Sequence, residues 1–297
     1  MYTAAFEYHR ASSLEEAATM LSQIGEGAKI LAGGQSLIPL MKLRLAAPSH
    51  LIDIGFTSGG SYIREEGRLL RLGALTSHAE IELSPVAQRI AIVHDCAAGI
   101  ADVQVRNRGT IGGSLAEADP SGDWATALLA LSAEVHLISP AGERTLALDD
   151  FIKDAYTTAL RSNEVIAEIR VHVPDAGSGG AYICLKRAAP VYATASVAVE
   201  LKLEGNVCRQ PAIVLGCVGL RPIRVDGAEA ALRGREIDDV ALEAAGEAVR
   251  VAADPESDMR GSAEYKRTVA GALVKRALRA ALGRARGEIV ETSHLYA

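Results

Sequence analysis

Lys29-Ile30-Leu31-Ala32-Gly33-Gly34-Gln35-Ser36-Leu37 joins a short apolar strand to a double glycine, a small hydroxyl residue and a second apolar segment. Adjacent glycines destabilise a strand or helix, so they mark a point where the backbone needs a positive φ or approaches another group closely. If a helical turn begins after Ser36, its free N–H groups point back into the loop and form a site for an anion such as phosphate. An exposed turn with a solvated Gln35 is the simpler alternative for an isolated Gly-Gly pair.

A second stretch of the chain repeats the same chemistry. Arg106-Asn107-Arg108-Gly109-Thr110-Ile111-Gly112-Gly113-Ser114 again places a Gly-Gly pair between an apolar residue and a hydroxyl residue. Two such loops predict that the chain holds the two phosphates of one pyrophosphate, mainly through backbone amides.

Composition limits the class of protein. The chain has 297 residues, 49% of them hydrophobic and 23% charged, which is typical of a globular protein with more than one domain. Its formal net charge of −6 argues against a nucleic-acid partner. Residues 1–10 lack the apolar run of a signal peptide and no stretch reaches the length of a membrane span, so we expect a cytoplasmic protein.

Cysteines, histidines and short motifs exclude several kinds of site. The four cysteines, Cys96, Cys184, Cys208 and Cys217, contain no C-x₂-C pair, which predicts buried free thiols and no zinc or iron–sulfur site. The seven histidines are scattered, so no metal site is predicted. The signatures G-x-G-x-x-G, G-x-x-x-x-G-K-[ST], H-E-x-x-H and G-x-S-x-G are also absent from the sequence.

Periodicity and turn residues predict an α+β chain with three domains, at residues 1–57, 58–176 and 177–286, and a tail at 287–297. The first domain is a compact β-α-β-type unit with a helix over residues 14–21, capped by Ser12 or Ser13, and a last strand over residues 50–54. In the second domain, Val86, Ile90, Val93 and Ala97 share one helical face, which predicts a single helix over residues 86–97 beside an antiparallel sheet.

A segment rich in proline and glycine, residues 174–180, predicts the linker to the third domain. Beyond it, alternating apolar residues predict strands over residues 181–187, 196–203 and 212–218. Three helices follow, over residues 227–232, 240–253 and 263–282, the last of them capped by Ser262.

Acidic residues follow the second Gly-Gly pair, in Glu117-Ala118-Asp119-Pro120-Ser121-Gly122-Asp123-Trp124. By itself this segment predicts a solvated turn in which Asp123 caps the next helix. Beside a pyrophosphate, a carboxylate can instead accept hydrogen bonds from ribose hydroxyls or an adenine amine. The sequence alone leaves both roles open for Asp123.

Together these motifs carry a family resemblance. Ala32-Gly33-Gly34-Gln35-Ser36 and Thr110-Ile111-Gly112-Gly113-Ser114, followed by Ala118-Asp119-Pro120 and Asp123, resemble the FAD-binding subunit of the molybdenum hydroxylase (xanthine dehydrogenase) family. The layout is most similar to the medium chains of aerobic carbon monoxide dehydrogenases and their relatives that hydroxylate aromatic N-heterocycles. This resemblance implies a two-subdomain FAD-binding fold of the PCMH/vanillyl-alcohol-oxidase type, followed by a C-terminal domain of three antiparallel strands with a helical bundle.

The resemblance also implies which residues bind the cofactor. The two Gly-Gly segments would hold the FAD diphosphate, Asp123 would lie near the adenosine half, and Tyr192 would cover one face of the isoalloxazine. The implied cofactor-binding residues are Lys29, Ala32, Gly33, Gly34, Gln35, Ser36, Leu37, Ile100, Ala101, Thr110, Ile111, Gly112, Gly113, Ser114, Asp123, Lys186 and Tyr192. Two positions depart from the family pattern, since Ser114 stands where asparagine is usual and Glu117 where histidine or another polar residue is common. FAD binding is still implied, with a different affinity or reduction potential.

The implied function is electron transfer, without a catalytic acid or base in this chain. A partner large subunit would carry the molybdenum cofactor and a partner small subunit two [2Fe–2S] clusters, in a dimer of heterotrimers. Electrons from the clusters would reach the FAD of this chain and leave to an external acceptor. The complex would oxidise carbon monoxide, or hydroxylate an aromatic N-heterocycle or an aldehyde.

Two other functions stay open at this point. A stand-alone FAD-dependent oxidoreductase of related fold would need its own substrate pocket, and the sequence does not indicate one. A flavin-free assembly subunit would be expected to have lost its glycine loops, and both are intact.

Overall fold

The computed structural model describes residues 2–292 and the backbone of residues 295 and 296. The predicted tail is therefore only partly within the described residues. Three units follow one another along the chain, each built on one main sheet.

The first unit consists of β1 (Glu7–Arg10), α1 (Leu14–Ile24), β2 (Ala28–Leu31), α2 (Leu37–Lys42) and β3 (His50–Asp53). Its three strands are parallel and lie in the order β1-β3-β2. The side chain of Ser13 caps α1, as predicted, and Gly25 ends the helix with a φ of 75°. The helix buries Leu14, Ala17, Ala18 and Leu21, one face at the spacing of an amphipathic helix. Strand β1 was not predicted, because its residues are mostly exposed and show no apolar alternation.

The second unit contains β4 (Ile63–Glu66), β5 (Leu69–Gly73), α3 (His78–Leu83), α4 (Ala91–Gly99), α5 (Val103–Arg106), α6 (Ile111–Glu117), α7 (Asp123–Ala130), β6 (Glu134–Ser139), β7 (Gly142–Ala147), α8 (Leu148–Phe151), β8 (Ile152–Asp154), β9 (Thr157–Thr158) and β10 (Val165–His172). Its main sheet has the order β4-β5-β10-β6-β7, and all four pairings are antiparallel, as predicted. Strands β8 and β9 form a separate hairpin.

The predicted single helix over residues 86–97 is wrong in its first half. Ala87–Arg89 form a 3₁₀ turn, Ile90 is extended with φ −107° and ψ 94°, and α4 begins only at Ala91. Ile90 is buried at this kink, so the helical spacing arose from two elements that place apolar side chains in one core. Helix α3 was not predicted, although Ser77 and Glu80 form the capping box at its start.

The third unit contains β11 (Ser178–Lys186), β12 (Ala195–Glu204), β13 (Val207–Gly216), β14 (Ile223–Arg224), α9 (Asp226–Leu232), α10 (Asp239–Ala252), α11 (Ala263–Ala285) and β15 (Leu295–Tyr296). Strands β11, β12 and β13 are antiparallel neighbours, as predicted. Two-residue strands extend the sheet on both sides, to the order β14-β13-β12-β11-β15. Ser262 caps α11, as predicted.

The predicted linker over residues 174–180 is wrong at its C-terminal end, because β11 already begins at Ser178. Gly179 lies against α11, where an added Cβ would come within 2.3 Å of the Ala281 carbonyl oxygen. Gly180 lies against Glu200, whose Oε2 would be 2.2 Å from an added Cβ. These glycines allow close packing of the strand, and close packing is incompatible with a flexible linker.

The third sheet is covered on both faces. Tyr182, Cys184, Ala198 and Val214 point into the core of the second unit, together with buried residues of α4 and α7. Alternate residues of the same strands, among them Ile183 and Val197, pack against α9, α10 and α11 on the other face. The second and third units therefore share one continuous core.

Candidate flavin site

The first glycine loop, residues 32–36, follows the carboxyl end of β2 and contacts the backbone just before the second glycine segment, residues 110–114. A Cβ atom added to Gly33 would lie 1.9 Å from the Arg108 carbonyl oxygen, and one added to Gly113 would lie 3.9 Å from the Cβ of Ala32. Backbone contact this close requires glycine at position 33. The two segments therefore lie side by side, as binding of one pyrophosphate requires.

The first glycine loop has unused hydrogen-bond donors. Within the described part of the chain, none of the backbone N–H groups of residues 32–36 donates a hydrogen bond to a protein acceptor. These residues are half-buried or exposed, and Gly34 has a φ of 75°, in the left-handed region that glycine adopts without strain. Buried or half-buried N–H groups normally have an acceptor, so several unpaired ones in one loop indicate a site for an anion.

The second glycine segment differs from the prediction, because it forms the first turn of α6. The Thr110 hydroxyl caps this helix by accepting from the Gly113 N–H at 3.1 Å, while the N–H groups of Ile111 and Gly112 donate to the carbonyl oxygens of Thr76 and Ala74 at 3.1 and 2.9 Å. The Ser114 N–H donates to the Thr110 carbonyl at 3.0 Å. The backbone amides of residues 111–114 are thus already paired within the protein. Ser114 is half-buried, and the buried Thr110 hydroxyl, which accepts from Gly113, keeps its own proton to donate.

The glycines of the second segment serve packing. An added Cβ on Gly112 would lie 2.6 Å from the Cβ of Ala74, at the end of β5. The side chain of Ile111 is fully buried in the core of the second unit. The Ile111 side chain therefore packs in the core, and a cofactor contact at this position stays a prediction for its backbone.

Lys29 lies on the exposed face of β2, close to the end of α6. Burial raises the pKa of the Glu117 carboxyl and the charge of Asp119 raises it further, whereas the charge of Lys29 lowers it. The Lys29 ammonium therefore lies within electrostatic range of the Glu117 carboxyl, across the boundary between the first and second units. The rim of the site therefore carries one lysine and two carboxyl groups.

Tyr192 and Tyr156 meet at Asp119. Burial raises the pKa of both phenols, and the charge of the nearby Asp119 carboxylate raises it further. The Tyr192 side chain is still 49% exposed, so an aromatic surface remains open beside this cluster. The guanidinium of Arg260 holds the Tyr192 segment in place by donating to the Ser121 hydroxyl at 2.7 Å and the Ala193 carbonyl at 3.4 Å.

Asp123 is buried at the contact between the second and third units. Its carboxylate is 7% exposed, accepts a hydrogen bond from the Tyr182 hydroxyl at 2.6 Å and lies 3.8 Å from the Lys186 ammonium. Contact with an adenosine ribose would require an accessible oxygen, and both oxygens face the third unit. These contacts give Asp123 a buried role between the second and third units, and its contact with the adenosine half stays a prediction.

Lys186 is the cation of this buried pair. Its ammonium donates to the Gly99 carbonyl at 2.6 Å. Burial lowers the pKa of Lys186, but the charge of the Asp123 carboxylate and the neighbouring cysteines together raise it overall, so the group stays charged. The Lys186–Asp123 pair therefore joins β11 to the end of α4 and the start of α7.

The turn after α4 contains Ile100 and Ala101. The Arg106 guanidinium donates to the Ile100 carbonyl at 3.1 Å and to the Ala101 carbonyl at 3.4 Å. Ala101 has a φ of 43°, an uncommon value for a residue with a side chain. Both carbonyl oxygens thus already accept from Arg106 and the Ile100 side chain is buried, while the Ala101 N–H has no acceptor among the described residues.

Other predicted residues of the first glycine loop lie at its surface. Gln35 is exposed, with Nε2 3.5 Å from the Gly33 carbonyl oxygen. Leu37 is the first residue of α2, and the Ser36 hydroxyl makes no capping hydrogen bond to that helix. The polar side chains of Gln35 and Ser36 are therefore available to a ligand.

Three residues near the site were not among the predicted ones: Asp119, Tyr156 and Arg260. Asp119 lies within the acidic motif that the sequence displays, so its spacing after the second Gly-Gly pair was a usable signal. Tyr156 lies in the turn between β8 and β9, with a φ of 53° and its N–H bonded to the Ala118 carbonyl at 2.8 Å. Neither Tyr156 nor Arg260 belongs to a local pattern, and only the tertiary fold brings them here.

The predicted state of the cysteines is confirmed, since all four are buried free thiols. In the part of the chain that the structure describes, no helix is both long and apolar enough to cross a membrane.

Comparison with known proteins places this geometry in a family. Residues 4–175 match the family model "FAD binding domain in molybdopterin dehydrogenase", and residues 180–281 match "CO dehydrogenase flavoprotein C-terminal domain". The carbon monoxide dehydrogenase medium chain of Hydrogenophaga pseudoflava is 43% identical over 280 residues, which cover 94% of this chain and 98% of the relative. The nicotine 6-hydroxylase medium subunit of Paenarthrobacter nicotinovorans is 38% identical over 275 residues, which cover 92% and 96% of the two chains.

The fold is also that of a solved relative. A chain of carbon monoxide dehydrogenase from Hydrogenophaga pseudoflava, in a form lacking the Mo-pyranopterin moiety of the molybdenum cofactor, superposes with a TM-score of 0.93. The sequences are 44% identical, and the match covers 96% of this chain and 99% of the other. The chain therefore belongs to the family of FAD-binding medium subunits of the molybdenum hydroxylases, a family of oxidoreductases.

Proposed function

We propose that the chain binds the diphosphate of FAD between the first glycine loop and the hydroxyls of Thr110 and Ser114. The observation that carries this proposal is the set of unpaired, accessible N–H groups in residues 32–36. An anion with several oxygens satisfies such donors together, and the Lys29 ammonium adds a positive charge at the rim. The residues present therefore fit the cofactor that the family model implies.

The isoalloxazine end of the site is proposed to lie between the turn at Ile100 and Ala101 and the Tyr192 ring. Tyr192 is half exposed and lies beside Asp119, so its ring is free to cover a planar ligand. The buried pair of Asp123 and Lys186 holds the third unit behind this surface. When bound, FAD supplies redox chemistry that links two-electron and one-electron carriers, and the protein supplies position, electrostatics and restricted access.

The proposed role of the chain is to pass electrons from a partner subunit to an external acceptor. The names of its relatives, "medium chain" and "medium subunit", support partners of larger and smaller size. We propose that the large partner carries a molybdenum cofactor and the small partner two [2Fe–2S] clusters, in a dimer of heterotrimers. All four cysteines of this chain are buried and widely spaced, which is consistent with clusters held elsewhere.

The substrate of the complex is proposed by class only. One relative is named for carbon monoxide and another for nicotine, an N-heterocycle, so the reaction is the oxidation of carbon monoxide or the hydroxylation of an N-heterocycle or aldehyde. Because the substrate would bind in the large partner, this chain does not determine the choice.

The experiment compares Gly33→Ala with Gly227→Ala. The added methyl group at position 33 would overlap the Arg108 carbonyl, whereas at position 227 it would lie at an ordinary 3.6 Å from the Ala248 Cβ. We expect Gly33→Ala to lose most of its bound flavin, measured by visible absorption per protein chain, while Gly227→Ala keeps the wild-type content. Circular dichroism confirms that both variants are folded.

Three results would contradict the proposed function or favour one of its two alternatives. Full flavin content in folded Gly33→Ala would contradict the proposed diphosphate site. A wild-type protein that never binds flavin would indicate an assembly subunit. Turnover of an organic substrate by the isolated, flavin-loaded chain would indicate a stand-alone oxidoreductase.

A further inference from the structure

Three potential metal ligands meet at the amino-terminal edge of the parallel sheet in the first unit. The His9 Nε2 atom lies 3.0 Å from the His50 Nδ1 atom, and the Glu7 Oε2 atom lies 3.5 Å from the same His50 nitrogen. All three ligand atoms lie within 4.8 Å of one another. Among the described residues, this is the one such group of three or more His, Cys, Asp or Glu side chains.

The sheet itself brings these residues together. Strands β1 and β3 are parallel, and Glu7 pairs with His50 in their register. Glu7 and His9 are two residues apart on one strand, so their side chains project from the same face as each other. The two imidazole rings lie with centroids 5.3 Å apart and an interplanar angle of 28°. The ligand positions are thus set by paired strands and need no loop to rearrange.

The spacing of the three atoms suits a tetrahedral metal ion. Zinc binds histidine nitrogen and carboxylate oxygen at about 2.0–2.1 Å, so neighbouring ligand atoms in a tetrahedral site are about 3.3 Å apart. The separations of His50 from His9 and from Glu7, 3.0 and 3.5 Å, lie on either side of that value, and the Glu7 and His9 atoms lie within 4.8 Å of each other. A neutral imidazole carries one proton, which here can sit on His9 Nδ1 and on His50 Nε2. The lone pairs of His9 Nε2 and His50 Nδ1 are then available to the metal.

We propose that Glu7, His9 and His50 bind a divalent transition-metal ion, with Zn²⁺ as the ion of matching geometry. Two imidazole nitrogens favour zinc, copper or nickel over calcium and magnesium, which prefer oxygen ligands. The Glu7 side chain is 75% exposed, so the fourth ligand is water. The bound ion joins the first strand of the chain to β3.

This site is separate from the flavin site. The three paired strands begin with one row of residues, Glu7, His50 and Ala28. They end with another row, Arg10, Asp53 and Leu31. Three residue steps along a strand separate the two rows by about 10 Å. The first glycine loop follows Leu31, so metal binding is expected to leave the flavin content unchanged.

The test uses the full chain, freed of metal with a chelator and titrated with zinc chloride by isothermal calorimetry. The wild-type protein should bind one zinc ion per chain, and zinc should raise its thermal midpoint. His9→Gln and His50→Gln should each weaken zinc binding by at least about tenfold. Glu7→Gln, at a mostly exposed position, tests the third ligand without disturbing the fold.

His136→Gln is the matched control. His136 also lies on a strand, with Nε2 3.2 Å from Glu143 Oε2, but in the described structure no second histidine is part of its cluster. Its zinc affinity should equal that of the wild type. Wild-type zinc affinity in the double variant His9→Gln/His50→Gln, or no zinc binding by the wild type, would overturn the proposal. Flavin absorption shows in each case that the variant is folded. Visible absorption of the cobalt-substituted protein would show the tetrahedral geometry directly.

Discussion

Replacing Arg284 by methionine removes a charge that joins the second and third units. The guanidinium lies on α11 and binds Asp95 of α4 with two hydrogen bonds, at 2.6 and 3.1 Å, and the Gly180 carbonyl at 2.7 Å. Side-chain exposure is 14% for Arg284 and 4% for Asp95. Because the substitution leaves a buried carboxylate without its partner, we expect the free energy of unfolding to fall by about 3–5 kcal/mol.

The same helix supplies the control. Arg279 lies 3.4 Å from Asp239, but these side chains are 56% and 91% exposed. Arg279→Met should therefore change the free energy of unfolding by less than about 1 kcal/mol. Thermal melting measures the difference, since a loss of about 3 kcal/mol lowers Tm by about 6–12 °C in a chain of this size.

A double-mutant cycle with Asp95→Asn identifies the cause. We expect the two single losses to be far from additive, because each substitution removes the same contact. Equal melting temperatures for Arg284→Met and Arg279→Met would refute the conclusion that Arg284 stabilises the contact between units.

Three other predictions concern buried titratable groups. Burial lowers the pKa of His78 to about 4, from 6.5, so its contribution to stability is present above pH 6.5 and lost as the pH falls towards 4, by about 3 kcal/mol in total. His78→Gln should flatten this part of the pH–stability curve, and an unchanged curve would contradict it. Burial raises the pKa of Glu200 from 4.5 to about 8, so stability should fall by on the order of 4 kcal/mol as the pH rises from 4.5 through 8. Glu200→Gln should be no different at pH 4 and more stable than the wild type above pH 8, in denaturant titrations at both values. Burial raises the pKa of Cys208 to about 11 and those of Cys184 and Cys217 to about 12, so a thiol reagent at neutral pH should label no cysteine until the protein is unfolded; labelling of the folded protein would contradict the burial.

Local patterns predicted most of the fold. The alternation of apolar residues located β11, β12 and β13, and hydroxyl residues marked the starts of α1 and α11. The predicted helix over residues 86–97 failed because residues from a 3₁₀ turn and a separate helix enter the same core with helical spacing. Gly179 and Gly180 suggested a linker, whereas their small size allows α11 and Glu200 to approach the strand.

The candidate site was predicted only in part. Its glycine segments could be predicted because close contact between backbones requires glycine, and Gly33 does contact the segment before Gly109. The buried role of Asp123 was not visible, because Tyr182 and Lys186 reach it from a distant strand. The meeting of His9 with His50 likewise depends on parallel pairing of β1 with β3, and β1 has no apolar periodicity.

The most direct test of the central claim is an experimental structure of the flavin-loaded protein. We predict diphosphate oxygens at hydrogen-bond distance, about 2.7–3.2 Å, from backbone nitrogens of residues 32–36 and from the Thr110 or Ser114 hydroxyl. A diphosphate bound elsewhere, with the N–H groups of residues 32–36 facing only water, would contradict it.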